Sequence, residues 1–330
     1  MRFVIAVHKP MKTEGFFSDM NESGILVFTV SDASYVRECD WIVRLNRNKT
    51  CSRISELNDR IGVRYMCTGL ALYDTDEITP LEACLAGESF FDAIGERVTI
   101  AGYYTYTHGE NGFDIDLIEI PLADLKSKII SKEVTAFRLF SERIGHSPWF
   151  ASFGYMTDEF GSFHHMDAHC ATPIDDIYGK LVGVVEEVSK NNRYPYGIVY
   201  DANTVSEAFY YAQGENLIKL FPYEDSSRFN KETPGRFKGE GRYRGDLLRM
   251  VYPCNMINEQ HLRIKIVGIS LGEWIVNERG RGSLRKICND LWLWEVGKDE
   301  LEGVNKSCGE AGILLAWKSP SAAKPARKLP

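Results

Sequence analysis

Three of the chain's seven histidines lie within six positions of one another, at 164, 165 and 169. The same segment also carries Asp167 and Cys170. Imidazole, carboxylate and thiolate are the ligands that zinc and similar divalent metals prefer. On a helix His165 and His169 would face together, and on a strand Asp167 would join them on one face. Either geometry predicts a site for zinc or another divalent metal, formed by His164, His165, Asp167 and His169.

Two other interpretations of this cluster remain open. The spacing matches no metal signature such as His-Glu-x-x-His. Adjacent histidines also serve as hydrogen-bonded structural groups or as contacts to a partner, and we favour that interpretation over metal binding or catalysis. Alternatively, Cys170 acts as a nucleophile with one of the histidines as its base. The sequence does not identify the third group that would orient such a base.

A second candidate is the long loop predicted for residues 222–246, which is rich in Ser, Gly, Pro, Lys and Arg. Arginine interleaved with aromatic residues suits phosphates and stacked bases, or an acidic protein surface. The candidate partner-binding residues are Arg236, Lys238, Arg242, Tyr243 and Arg244. The alternative is a solvated loop whose charge is balanced by nearby acids such as Glu232 and Glu240.

Composition narrows the class of partner. The net charge is −7 and the pI about 5.6, which argues against broad binding to nucleic acid or anionic membranes. No apolar stretch approaches the length that crosses a bilayer, and the eight cysteines form no Cys-x-x-Cys pair. The sequence therefore predicts a cytoplasmic protein with reduced thiols. Its many tyrosines, some of them expected on the surface, favour another protein as the partner.

The pattern of apolar residues predicts an α+β fold, with two mixed layers and largely antiparallel sheets. Strands are expected at 2–8 and 24–30, and residues 96–106 and 113–120 are expected to pair as a hairpin. Thr79, Pro80 and Glu82 are typical of a helix start. Further helices are predicted from Thr172 to Val188 and over 122–144, and a second hairpin over 208–221.

The 163–170 cluster is interpreted as a link between an aromatic strand and the helix that follows it. A domain boundary is placed near residue 145, which gives an N-terminal α+β domain, 1–145, and a C-terminal one, 146–317. The remaining tail, 318–330, is basic, spaced by prolines and expected to be disordered.

The second half also resembles bacterial immunity proteins of polymorphic toxin systems. The resemblance lies within residues 150–317, in the segments 196–201, 211–220, 248–255 and 291–294. It implies an α+β fold that neutralises a toxin by binding it, without catalysis, and it carries over no site residue. We therefore expect a non-enzymatic binding factor, such as an inhibitor or immunity protein. The alternative is a metal-dependent hydrolase centred on the histidine cluster.

Overall fold

A computed structural model divides the chain into two compact units, residues 1–64 and 65–330. It describes residues 2–5 and 26–29 of the first unit, and 66–319 of the second apart from 110–111, 147, 192–193, 216, 234–238 and 289. In the first unit, β1 (Arg2–Ile5) pairs antiparallel with β2 (Leu26–Thr29), within the two predicted strands. The predicted disordered tail lies outside the described residues from 320 onward.

The second unit is built on one antiparallel sheet of ten strands. In chain order they are β3 (Cys67–Tyr73), β4 (Ile100–Gly109), β5 (Gly112–Ile120), β6 (Phe137–Ser141), β7 (Ala151–Met156), β8 (His165–Cys170), β9 (Tyr196–Ala202), β10 (Cys254–Asn258), β13 (Ser283–Cys288) and β14 (Leu291–Glu295). Their order across the sheet is β13-β14-β10-β9-β3-β8-β7-β6-β4-β5. A two-stranded sheet of β11 (Lys265–Ile266) and β12 (Ile269–Ser270) lies outside it.

Eight α-helices are described. They are α1 (Pro80–Ile94), α2 (Leu122–Ile130), α3 (Ile174–Asn191), α4 (Val205–Ala212), α5 (Ser226–Glu232), α6 (Glu259–Arg263), α7 (Leu271–Asn277) and α8 (Leu301–Glu310). The predicted α+β class with antiparallel sheets is confirmed. Among the described residues, no helix combines the length and the apolar character needed to cross a bilayer.

Each face of the large sheet carries an apolar core, because strand side chains alternate between the two faces. On one face, helices α1, α2 and α3 cover a core that includes Leu70, Leu72 and Phe153. On the other face, α4, α7 and α8 contribute to a core rich in buried aromatic rings, including Tyr73 and Tyr196. The sheet is therefore the middle layer of three, and side chains on its strands are enclosed unless they lie near an edge.

Local signals explain several elements. Helix α1 starts where the sequence predicts, because Thr79 accepts a hydrogen bond from the Glu82 backbone N–H and Glu82 caps Thr79 in return. The predicted hairpin forms as β4 and β5, with nine consecutive residue pairs from Ala101–Ile120 to Gly109–Gly112. The predicted helix from Thr172 corresponds to α3.

Two local predictions are wrong. The helix expected over 122–144 ends at Ile130, and Phe137–Ser141 instead forms β6, whose apolar residues pair with two neighbouring strands. The hairpin expected over 208–221 is replaced by α4, which Thr204 caps through the Glu207 backbone N–H. In the first case the aromatic residues follow their intrinsic preference for strands, whereas in the second case capping and packing override it.

The predicted boundary near residue 145 falls between β6 and β7. These two strands pair along their length, from Phe137–Tyr155 to Ser141–Ala151. The division of the chain into two compact units falls between residues 64 and 65. Sheet neighbours thus lie on both sides of the predicted boundary.

Candidate functional site

The histidine cluster is a central strand of the sheet, β8, and not a link between elements. His165, Asp167 and His169 project from one face, since strand residues alternate with period two. All three are at most 1% exposed. The strand prediction of their shared face is therefore the correct alternative, and the cluster lies in the protein interior.

Asp167 is held by an arginine that the sequence analysis did not single out. Arg138, on β6, donates two hydrogen bonds of 2.7 Å each from its guanidinium to the two carboxylate oxygens. Arg138 is 1% exposed, so this is a fully buried ion pair. Paired, bidentate geometry of this kind offsets the large cost of removing both charges from water.

A glycine makes this ion pair possible. Strand β7 lies between β6 and β8, and Gly154 pairs with Arg138 on one side and Asp167 on the other. A Cβ at this position would overlap the Arg138 guanidinium. The arginine therefore reaches across the middle strand only because residue 154 has no side chain.

The two histidines flank the ion pair. His165 Nδ1 lies 2.8 Å from the Phe163 carbonyl oxygen, and its Nε2 lies 3.7 Å from Asp167. His169 Nδ1 lies 3.2 Å from Ser152 Oγ and 3.5 Å from Asp167. The histidines thus surround a carboxylate that Arg138 already engages.

Burial decides the charge states. It lowers the pKa of His169 to about 4, which outweighs the opposite effect of Asp167, so His169 is neutral near pH 7. Burial also raises the pKa of Asp167, but Arg138 outweighs it and the pKa is lowered to about 2. The cluster therefore contains an ionised Asp167 balanced by Arg138.

Helix α4 packs over the cluster, on the same face of the sheet. The Phe209 ring lies 4.5 Å from the Arg138 guanidinium carbon, a cation–π contact. The same ring contacts His169 and Trp149 edge-on, at 6.0 and 5.8 Å between ring centroids.

Two surface pockets, of about 320 and 650 Å³, are lined by residues outside this cluster.

The four predicted metal ligands do not converge. His164 points elsewhere, with its Nε2 3.4 Å from Asp158. Both oxygens of Asp167 accept from a cationic guanidinium, which occupies the position that a divalent cation would need. In the part of the chain that the structure describes, no group of three His, Cys, Asp or Glu side chains is placed to hold a metal ion. The residues present therefore do not fit zinc or a similar divalent metal.

The nucleophile alternative also lacks the necessary geometry. Cys170 follows His169 on β8, so its side chain projects to the opposite face, into the core under α1 and α3. Burial raises the pKa of its thiol to about 12. Near pH 7 Cys170 is a protonated thiol, which is neither the reactive form nor aligned with the histidines.

The basic loop is partly described. Arg236 and Lys238 lie outside the described residues. Arg242 forms an ion pair with Glu232. Tyr243 is buried and donates to Asp74 at 3.2 Å. Arg244 donates to both oxygens of Asp74, at 2.6 and 2.8 Å.

Arg242, Tyr243 and Arg244 thus all make internal contacts. Those of Tyr243 and Arg244 are with Asp74, directly after β3. Asp74, their main acceptor, has a φ of 55°, an uncommon conformation for a residue other than glycine. The partner-binding role of the five loop residues stays a prediction.

A second buried centre surrounds Arg249, which lies just beyond the basic loop in the sequence. Its Nη1 donates to Tyr73 Oη at 3.0 Å and to the Tyr211 carbonyl oxygen at 2.8 Å. Its guanidinium carbon lies 3.6 Å from the Tyr211 ring centroid, and Glu224 supplies the countercharge at 4.0 Å. Arg249 and Glu224 are both fully buried.

Many of the tyrosines expected on the surface are buried instead. The residues at 194, 196, 200 and 211 are each at most 5% exposed. Tyr200 lies over Gly69, where a Cβ would overlap its ring, and donates to the Ala208 carbonyl oxygen at 2.6 Å. These rings therefore pack in the interior, so a surface that binds a partner must be formed by other residues.

That surface is acidic around β4 and β5. Asp114, Asp116 and Glu119 on β5 are all exposed. None of the three forms an ion pair with another residue that the structure describes. Tyr106 on β4 lies opposite Ile115 on β5, and each is 46% exposed. The hairpin thus offers unbalanced carboxylates beside apolar groups.

Comparisons with known proteins do not assign a family. No family model and no curated protein matches the chain. Among solved structures, the chain is similar to the Pseudomonas aeruginosa T6SS protein PA0821, with 10% identity and a TM-score of 0.47 over 78% of this chain and 77% of that chain.

Proposed function

We propose that this protein is a non-enzymatic binding factor that recognises and neutralises a basic partner protein, as an inhibitor or immunity protein does. The observation that carries the proposal is a concentration of acid in one part of the chain. Residues 66–160 contain sixteen Asp and Glu but only six Lys and Arg. This excess of ten negative charges is larger than the net −7 of the whole chain.

Four of the six basic residues of this region are already engaged. Arg138 is buried against Asp167. Lys126 pairs with Glu88 at 2.7 Å, Lys128 with Glu133 at 2.8 Å and Arg143 with Glu96 at 3.5 Å. Most of the remaining exposed carboxylates therefore lack a local countercharge, which favours a partner rich in Lys and Arg.

The buried centres support a binding role over a catalytic one. His165, Asp167 and His169 are buried and make internal contacts, and none of them lines either of the two pockets formed by the described residues. A pocket of about 320 Å³ does open beside Arg244, and it is lined by Asp76, Glu77 and Asp290. Carboxylates around such an opening suit a Lys or Arg side chain of the partner.

The test uses the products of the reading frames that flank this gene. Each is purified, and its binding to the full chain is measured by calorimetry and by association kinetics at low and high salt. We expect one basic product to bind with a dissociation constant of about 1 μM or tighter. Its association rate should fall about tenfold or more at high salt, because charge steering is screened.

Neutralisation is measured in the same pairs. Co-expression with the wild-type chain should restore growth or activity that the basic product abolishes alone. The proposal is overturned if no flanking product binds, if the product that binds is acidic, or if binding leaves the product's activity unchanged. Turnover of a substrate by the purified chain alone would also contradict it.

A further inference from the structure

We propose that an extended basic segment of the partner adds to the sheet along β5 as a further strand. This inference rests on the proposed function, since it specifies how a basic partner would be held.

Strand β5 is the last strand of the sheet among the described residues, with β4 as its one neighbour. It is nine residues long, and its pairing with β4 is continuous, without a bulge. Alternate N–H and C=O groups along its outer side have no strand partner in the described part of the chain. A long, regular edge of this kind is a template for another strand.

The opposite edge, β13, carries the features that prevent such pairing. It has six residues, includes Arg285 and Lys286, and breaks register between Lys286 and Cys288. Helices α3 and α7 pack beside it, and Arg285 is held by Glu186 at 2.6 Å. Short length, basic residues and a bulge are the usual protections of an edge strand. Residues 112–120 contain no Lys, Arg or Pro.

The charges on β5 select the occupant. A second copy of this chain paired along β5 would bring carboxylates together, and like charges across strands are destabilising. A strand that carries Lys or Arg would instead form cross-strand ion pairs with Asp114, Asp116 and Glu119. Ile115 and its neighbour Tyr106 would lose exposed apolar surface at the same time.

The spacing of the acids predicts the sequence of the occupant. Asp114 and Asp116 share one face, and Glu119 projects from the other, because strand positions alternate. An antiparallel occupant would place basic residues as Lys-x-x-Lys-x-Lys, and a parallel one as Lys-x-Lys-x-x-Lys. The intervening positions lie opposite Ile115, Leu117 and Ile118, so β-branched residues suit them.

The experiment uses two capped synthetic peptides, Lys-Val-Val-Lys-Val-Lys and its reverse, with Lys-Lys-Lys-Val-Val-Val as a control of equal composition. Each is titrated into the isotopically labelled full chain, and amide exchange is followed by NMR. We expect one of the first two to protect alternate backbone amides of 112–120, and the control to protect none. Methylating alternate peptide nitrogens should weaken binding at least tenfold, because those N–H groups can no longer pair with β5.

Matched variants separate the contribution of the carboxylates from that of backbone pairing along β5. The double variant Asp114→Lys/Asp116→Lys should weaken peptide binding at least tenfold. Glu302→Lys/Glu310→Lys makes the same change of charge on the exposed side of α8 and should leave it unchanged. Strand addition is overturned if no β5 amide is protected at millimolar peptide, or if N-methylation has no effect. If the whole basic partner still binds in that case, the proposed function stands and only this docking mode fails.

Discussion

Two regions hold the charges that distinguish this protein, and they are used in opposite ways. Inside the sheet, Arg138 and Asp167 are at most 1% exposed and bind each other with both hydrogen bonds satisfied. On β5, Asp114 and Asp116 are exposed and form no ion pair with the described residues. The interior charges stabilise the fold, whereas the charges of the edge strand remain available to a partner.

The largest expected effect comes from breaking the interior pair. Asp167→Asn leaves Arg138 charged and buried without a counterion, so the free energy of unfolding should fall by about 3–5 kcal/mol. Replacing both residues, as Arg138→Met with Asp167→Leu, should recover most of this loss. Chemical denaturation checks both variants. A loss of less than about 1 kcal/mol for Asp167→Asn would show that the pair does not have the structural role assigned to it.

The next effect is a dependence of stability on pH. The pKa of His169 is lowered to about 4 in the folded protein, from an ordinary value of 6.5. Between pH 4 and pH 6.5 the unfolded chain binds more protons than the folded protein does. The free energy of unfolding is therefore highest above pH 6.5 and falls as the pH drops towards 4.

The corresponding loss for this histidine is roughly 1–3 kcal/mol across that window. Denaturation midpoints measured from pH 7 to pH 4 should therefore fall less steeply for His169→Gln than for the wild type. Parallel curves for the two proteins would contradict the assignment of a neutral, buried His169.

Two glycine substitutions test whether Arg138 reaches Asp167 only because residue 154 has no side chain. Gly154→Ala places a methyl group against the Arg138 guanidinium and should cost about 1–3 kcal/mol. The control is Gly183→Ala on α3, where a Cβ meets nothing within 4 Å. That change should stabilise the protein by roughly 0.5–1 kcal/mol, because alanine favours a helix. Equal effects of the two substitutions would show that Gly154 is not a close-approach position.

The smallest change in stability is expected on β5. Asp114→Lys and Asp116→Lys replace exposed side chains that make no ion pair, so the free energy of unfolding should change by no more than about 0.5 kcal/mol. Denaturation measured beside Asp167→Asn checks the contrast. A large loss of stability would mean that the edge carboxylates belong to the fold and not to a binding surface.

The sequence predicts those elements whose cause is local. The capping box at Thr79 and Glu82 and the alternation along 113–120 lead directly to α1 and to the β4–β5 hairpin. The α+β class follows from the same patterns. These features depend on residues a few positions apart, which is why one sequence suffices to find them.

The site could not be read in the same way. The sequence places His165, Asp167 and His169 close together, but Arg138 lies 29 positions before Asp167 and reaches it across Gly154. Strand β8 alternates polar and apolar residues as a half-exposed strand would, but its polar face is buried as well. The expectation of tyrosines on the surface failed for a related reason, because a polar group on its own predicts exposure.

If the acidic edge binds the partner while the buried pair stabilises the fold, substitutions on β5 should change affinity without changing stability. The affinity of the basic partner is measured for the wild type, Asp114→Lys/Asp116→Lys and Glu302→Lys/Glu310→Lys, with the denaturation midpoint of each. We expect at least a tenfold loss of affinity for the β5 variant alone, with its midpoint unchanged. Equal affinity for all three proteins would contradict a binding role for the acidic edge of β5.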